Sequence, residues 1–582
     1  MKIRTITRCL SLLICSTIAA RAGTHNWNGL GSTTNWSTAA NWQAGFTPTA
    51  LEAQPVVLVF PAGGFKPTNV CNIANLKVDS LIINGSSYAL NNPSPVALPI
   101  TLIGNGNSLY SAGTDNIIRC PLVLSSANLN FGTSTVGELW INGAMSGTGG
   151  FNKTGRGDVF LAGDQDNIYT GTTTVLGGTL HLAKTSGRIA VGGELVIGDL
   201  NGSSLPNFAL DSTVILDGPQ QLLFSAAVTV NPDGLLDMNG QSLAISSLTM
   251  TGNSKIDSFT GTKPVLTLFG NVSSSNPTNA GFNPSISCRL SLGGGTRTFT
   301  VDGNQHLLGL YGEISSGGGN AGIIKNGLGG LTLYEVNGYT GDTLVNAGTL
   351  YVFGSLAGSN VTLKPSSTLR GPGATGAVQC LGATIEPQIY KTSGQPAQHL
   401  RTKALAMDAA STLQVHIDEG YLFDAALLSV AGPVNLGGCR LAAELDDTGG
   451  ISPVAGVAFV IIQNDLADPV IGSFAGLPEG TLFKFSGRQW KITYKGGDGN
   501  DVMLTVMSAV LPLSLDSFSY DPVSKLATLT GNGTPGDNTY RLETSEDLKT
   551  WTDRGGINNT YGNLTVYLSA SSPTLFFRFV KP

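Results

Sequence analysis

The chain has 582 residues, a formal charge of −6, 77 glycines, 41% hydrophobic residues and only 12% charged residues. The charged share is about half the usual value and glycine about twice it, which excludes intrinsic disorder, a state that needs many charges and few apolar residues. The acidic balance offers no basic face to phosphates, so no nucleic-acid partner is expected.

Residues 1–22 read as a signal peptide. Lys2, Arg4 and Arg8 are the positive region, Cys9 to Ala20 the short apolar core, and Ala20-Arg21-Ala22 the cleavage signal, so the mature chain is expected to start at Gly23. A lipoprotein reading through Cys15 is weaker, because Leu12-Leu13-Ile14 puts no small residues before that cysteine. No later stretch holds the roughly 18 apolar residues of a membrane helix, so no integral membrane segment is expected after signal removal. Cys71, Cys120, Cys288, Cys380 and Cys439 follow the signal. They are too sparse for a disulfide framework and show no metal-type spacing. Most read as small buried apolar residues, and any pairing stays open.

Two segments, near 143–183 and 312–353, resemble each other. Lys153, Gly155 and Gly157 match Lys325, Gly327 and Gly329. Tyr169-Thr170-Gly171, Thr173, Val175 and Gly178-Thr179-Leu180 match Tyr339-Thr340-Gly341, Thr343, Val345 and Gly348-Thr349-Leu350. Such self-similarity marks stacked units that share one continuous core. Alternation places Leu180 and Leu182, or Leu350 and Val352, on one face and His181 or Tyr351 on the other. Glycines bound short strands, and the rhythm continues through 234–253 and 357–388. The pattern predicts an all-β chain, a right-handed parallel β-solenoid over 23–508. A set of β-sandwiches is the alternative with similar turn spacing.

Along the solenoid several motifs read as structure. Arg156-Gly157-Asp158 spells an integrin-type tripeptide inside the first repeat, where the glycine already serves the turn. Gly317 to Gly322 and Gly371 to Gly376 fit G-x-G-x-x-G, but β-like sequence follows each, so both read as turns rather than dinucleotide sites. The acidic runs His416-Ile417-Asp418-Glu419 and Glu444-Leu445-Asp446-Asp447 read as solvated turn charges. Gly496 to Leu504 matches a calcium-binding nonapeptide; standing alone, Asp498 and Asp501 offer a partial shell, and a tight turn between strands 490–494 and 502–506 is expected. Five strand-like stretches in 509–582 make a separate C-terminal module. The histidines (His25, His181, His306, His399 and His416) are scattered, and neither a nucleophile elbow nor a P-loop occurs. No catalytic, cofactor-binding or metal-ligating residue is assigned, and no enzyme is expected. Carboxylates that meet across stacked rungs remain invisible at this level.

The repeated lysine-glycine-glycine, tyrosine-threonine-glycine and glycine-threonine-leucine run resembles the autotransporter-associated β-strand repeat. The resemblance extends to the opening stretch, where Trp27, Trp36 and Trp42 would cap the first coil, and to 354–364, 382–388 and 472–507. It implies an exported passenger-like β-helix, and for 509–582 a small β-sandwich of the kind found at the ends of such proteins. About 70 residues after the solenoid are too few for a membrane barrel, so an export route other than a fused translocator is expected. The functional expectation is a non-enzymatic structural or adhesin-like protein, secreted or held at the outer membrane of a Gram-negative bacterium. Its partner would be a cell-envelope or extracellular glycan or another surface protein. The rival is a polysaccharide-binding or polysaccharide-cleaving β-helix.

Overall fold

The computed structural model describes residues 22–104, 106–185, 187–200, 211–276, 283–388, 398–418, 428–446, 453–465, 467–508, 514–532, 540–557, 563–569 and 574–580. Among them the only helical pieces are two 3₁₀ turns, Ala39–Asn41 and Gln43–Gly45. The expected signal peptide, apart from Ala22, lies outside the described residues, as do Glu419 and Asp447. The chain forms two compact units, residues 1–228 with 233–237, and residues 229–232 with 238–582.

In the first unit the chain climbs as a parallel β-solenoid. One ladder runs through Gly23–Asn26, Val56–Phe60, Ser80–Ile83, Gly106–Ser111, Leu129–Thr133, Phe151–Thr154, Thr173–Val175 and Leu195–Ile197, each strand parallel to the next. A second runs from Thr68–Val70 to Gly234–Asp237. A third joins Leu76–Val78, Ile100–Leu102, Leu122–Leu124 and Met145–Gly147. Phe151 lies opposite Leu129 and Thr173, each 22 residues away along the chain, which fixes the length of a coil at this point. The coil is right-handed, the hand parallel crossovers take. Because strand side chains alternate, one residue in two points inward. Leu139, Val159, Leu180 and Val214 meet in register as one fully buried column. Each such side chain contributes about 1.5–3 kcal/mol on burial.

Trp27, Trp36 and Trp42 close the bottom of this unit, as the resemblance implies. Trp42 meets Trp27 edge-on at 5.2 Å and Trp36 at 6.0 Å, and all three are buried against Phe60. A buried indole needs an acceptor for its N–H. Trp27 Nε1 donates to the Phe65 carbonyl, Trp36 Nε1 to Asn69 Oδ1 and Trp42 Nε1 to the Trp36 carbonyl, at 2.7–2.9 Å.

The second unit repeats this architecture. One ladder runs from Ser247–Thr251 to Val434–Asn435. Another runs through Lys255–Asp257, Ser285–Ile286, Leu307–Leu310, Gly330–Leu333, Gly348–Val352, Ser367–Gly371, Thr384–Pro387, Thr412–Asp418 and Arg440–Asp446. Parallel stacking gives way to antiparallel pairing at Ala458–Asn464, which meets Asp501–Ser508; that strand pairs with Arg488–Gly496, and the latter with Leu482–Phe485. The hairpin turn at Gly496–Asp501 is the turn expected from the nonapeptide. Its antiparallel strands depart from an all-parallel reading and end the run of open parallel edges, which would otherwise invite pairing with other chains. Two three-stranded antiparallel sheets follow, Ser514–Asp521, Leu526–Asn532 and Asn563–Ser569, then Thr552–Gly556, Arg541–Ser545 and Phe576–Val580. They share a core of Leu529, Leu542, Ile557 and Leu564, the small β-sandwich expected of this stretch.

Candidate functional site

The residues shared by the two repeats build a corner of the coil. Lys153 and Lys325 occupy inward positions and are fully buried. The Lys153 ammonium donates to the Gly155 and Gly177 carbonyls at 2.9 and 2.8 Å; that of Lys325 donates to Asn326, Gly327 and Ala347 at 2.8–3.1 Å. Burial pushes both down to about 8, against a weaker upward pull from Asp158 on Lys153 and Asp302 on Lys325. Tyr169 and Tyr339 are equally buried and share hydrogen bonds with Thr173 and Thr343 at 2.6 and 2.8 Å. Gly171 and Gly341 admit the rung beneath: a Cβ there would lie 2.3 Å from the Gly149 carbonyl carbon or 2.5 Å from that of Ala321. Gly178 and Gly348 turn the corner with φ of 67° and 70°. Lysine, tyrosine, threonine and glycine of the motif are therefore fastenings between rungs, and none faces a ligand.

Outward positions carry what chemistry the surface has. In the first unit Trp140, Phe160 and His181 stack in register, with centroids 3.9 and 4.1 Å apart. Ile117 stands below and Ile215 above, and His181 Nδ1 meets Asp217 Oδ2 at 2.9 Å.

In the second unit two outward columns run side by side. One is Tyr311, Tyr334 and Phe353, with centroids 4.2 and 5.1 Å apart. Its neighbour rises from Thr332 through Tyr351 and Arg370 to Glu386. The Arg370 guanidinium lies 5.9 Å from the Tyr351 ring centroid and is paired with Glu386. Glu386 Oε1 is 3.5 Å from His416 Nε2, and His416 Nδ1 is 3.4 Å from Glu444 Oε2. Burial pushes the Glu386 carboxyl up, but hydrogen bonds from His416 and Arg370 outweigh it and hold it below its ordinary value. The bond to Glu386 raises His416 in turn, against burial.

This corrects the reading of His416 and Glu444 as turn charges. They lie on the strands Thr412–Asp418 and Arg440–Asp446 and face each other in register. Stacking two coils brought them together. Arg370 and Glu386 drew no notice in the sequence; the available signal was their place between buried neighbours, Leu369 before Arg370 and Ile385 before Glu386.

Other singled-out residues lie elsewhere. Arg156 is exposed at a turn, but Asp158 opens the strand Asp158–Gly163, so the tripeptide is not presented on one loop. Strands follow both glycine motifs, at Ile323–Asn326 and Val378–Cys380, as the turn reading expects. Asp498 is exposed, whereas Asp501 is buried and accepts the Asn464 N–H at 2.9 Å. The five cysteines are buried free thiols. His25 meets Glu52 at 2.8 Å beneath the tryptophan cluster, and His399 meets Ser429 at 2.7 Å. His306 shares a 2.7 Å hydrogen bond with Ser274, but both are buried inside the coil. Asp233, pushed up to about 6 by burial and by Asp211, accepts from the Asp199 N–H and the Ser212 hydroxyl and so ties a backbone amide to a side chain of the next strand. Among the described residues no group of three or more His, Cys, Asp or Glu side chains is placed to hold a metal, and no helix is long and apolar enough to cross a membrane.

The family described as passenger-associated-transport-repeat matches residues 151–182 and 323–352, the two corner-building segments. Over 109 residues the chain is 33% identical to the adhesin BmaC autotransporter of Brucella suis biovar 1 (strain 1330), a stretch that is 19% of this chain and 3% of that protein. No solved structure matches. The chain thus carries two passenger-associated transport repeats, and both fold as rungs of a β-solenoid.

Proposed function

We propose that the chain is an exported, adhesin-like β-solenoid, secreted or held at the surface of a Gram-negative bacterium, that works by presenting outward columns rather than by catalysis. The observation that carries this reading is the pair of passenger-associated repeats: each spends its distinctive residues on fastening coils, which leaves the outward positions free to vary. The likeness to an autotransporter adhesin supports the same assignment. We assign residues 1–22 to a signal peptide, 23–508 to the solenoid and 509–582 to a terminal β-sandwich.

Two observations favour a non-catalytic surface over a polysaccharide-cleaving one. Glycoside hydrolysis needs a carboxyl with a raised pKa beside a second carboxylate. Glu386, on the outward face, is held low by its partners. Asp233, which is raised, is buried and engaged with backbone and Ser212. The test is protease shaving of intact cells, with fractionation and detection of the chain by antibody. Digestion of the chain on intact cells, or its recovery from the medium, is expected; a chain protected until the cells are broken overturns the proposal.

A further inference from the structure

We infer that the outward face of the second unit, centred on Tyr311, Tyr334, Tyr351, Arg370, Glu386 and His416, binds a neutral glycan laid along the coil axis. The inference rests on the adhesin-like reading and names the ligand class.

The two outward stacks described above differ in what they leave open. In the first unit Ile117 and Ile215 cover both ends of the Trp140–Phe160–His181 stack. That column is closed upon itself. In the second unit the strand beneath, Ser285–Ile286, ends opposite Leu310, one residue short of Tyr311. Tyr311 is 43% exposed and Tyr334 38%. The stack therefore offers ring edges and hydroxyls along its length.

Directly beside and above it stands the polar column. Arg370, held by the buried Glu386, presents a planar fork of donors, the exposed Glu444 presents acceptors, and His416 lies between the two carboxylates. The charges nearly balance, two cationic groups against two carboxylates when His416 is protonated, so the face favours neither a polyanion nor a polycation. Aromatic carbon beside a balanced set of fixed donors and acceptors matches a sugar chain, whose rings carry apolar C–H faces and neutral hydroxyls. Rungs about 4.8 Å apart repeat the surface along the axis. A linear polymer can meet several rungs in turn, so weak single contacts add.

Affinity electrophoresis of the folded protein in gels containing dextran, mannan, xylan or galactan tests the inference. At least one of these neutral polymers is expected to retard the chain. The double variant Tyr311→Ala/Tyr334→Ala should weaken that retardation about tenfold or more, the effect of losing about 1.4 kcal/mol. Glu444→Gln, at a 60% exposed side chain whose loss does not threaten folding, should weaken it too. Tyr567→Ala, an exposed tyrosine of the terminal sandwich, should leave it unchanged. Circular dichroism confirms that each variant is folded. Retardation by none of the four polymers, or by heparin alone, overturns the inference, as does retardation that the double variant leaves intact. A chain that is shaved from cells yet binds no polymer sinks this inference and leaves the adhesin-like reading standing. Release of new reducing ends does the reverse: it leaves the binding face and overturns the non-catalytic reading.

Discussion

Between about pH 8 and about pH 9.5 the two repeat lysines should add stability to this protein as pH rises. Lys153 and Lys325 have folded values of about 8 against 10.5 for a free lysine. Between those values the unfolded chain binds a proton that the folded chain has released, so stability rises with pH. The contribution is complete above the unfolded value and is lost as pH falls through the folded one. The full span is about 3 kcal/mol per lysine. Between about pH 8 and about pH 9.5 the gain is about 1.5 kcal/mol each, or about 3 kcal/mol for the pair. Carbonyl acceptors around each ammonium favour its charged form, which makes this an upper bound. The buried phenols act oppositely. Burial raises Tyr169, and it pushes Tyr339 up to about 12, so stability falls once unfolded tyrosines ionise near pH 10. The lysine signal must therefore be read below about pH 9.5. Urea denaturation at about pH 8 and about pH 9.5, on wild type and on Lys153→Met/Lys325→Met, separates the cases. The wild-type midpoint should gain more between the two pH values than the variant's; Lys184, which burial also lowers to about 8, raises both, and the buried thiols Cys288 and Cys439, raised to about 12, lower both because they ionise first in the unfolded chain. Equal slopes for the two proteins would refute the account and show that the carbonyl cages keep both lysines at ordinary values.

Three further outcomes follow from the packing. Gly341→Ala forces a Cβ to within 2.5 Å of the Ala321 carbonyl carbon and should lose about 2–3 kcal/mol in thermal or urea unfolding, whereas Gly261→Ala, with open space around it, should stay within about 0.5 kcal/mol. Trp36→Ala removes a fully buried ring and strands Asn69 Oδ1, so about 3–5 kcal/mol should vanish from the first unit, seen as an earlier tryptophan-fluorescence transition. The thiols of Cys71, Cys120, Cys288, Cys380 and Cys439 should ignore a thiol reagent such as DTNB in the native protein and all react in denaturant; burial raises Cys288 and Cys439 to about 12, and reaction of any of the five in the native state would contradict their placement.

The coil was legible because its physics is local. Period-two alternation separates Leu180 and Leu182 from His181, and the same rule holds at Leu350, Tyr351 and Val352. The matching glycines announced the corners. What the repeat lysine does was not legible, although its phase was: Lys153 follows Phe151 by two residues, which puts a charged side chain on the buried side. Reading that phase against ordinary charge preference would have found the cage. The acid–base ladder was illegible for a different reason. Arg370, Glu386, His416 and Glu444 come from four successive rungs, and their neighbourhood is decided by the register between rungs. Arg370 meets Glu386 after only 16 residues, whereas His416 meets Glu444 after 28. Inward alternation holds the strands in register while the loops absorb the difference in length, so no fixed spacing in the sequence announces the column.

That arrangement separates two jobs that compete in a globular fold. Inward columns such as Leu139, Val159, Leu180 and Val214 supply cohesion, so a change there removes about 2–5 kcal/mol. Outward residues on the same strands touch mainly the rung above and the rung below, and exposed substitutions cost little. A solenoid can therefore alter what it presents at Tyr311 or Glu444 without renegotiating its core. That freedom lets one outward stack be flanked by isoleucines and another expose its tyrosines on the same kind of scaffold.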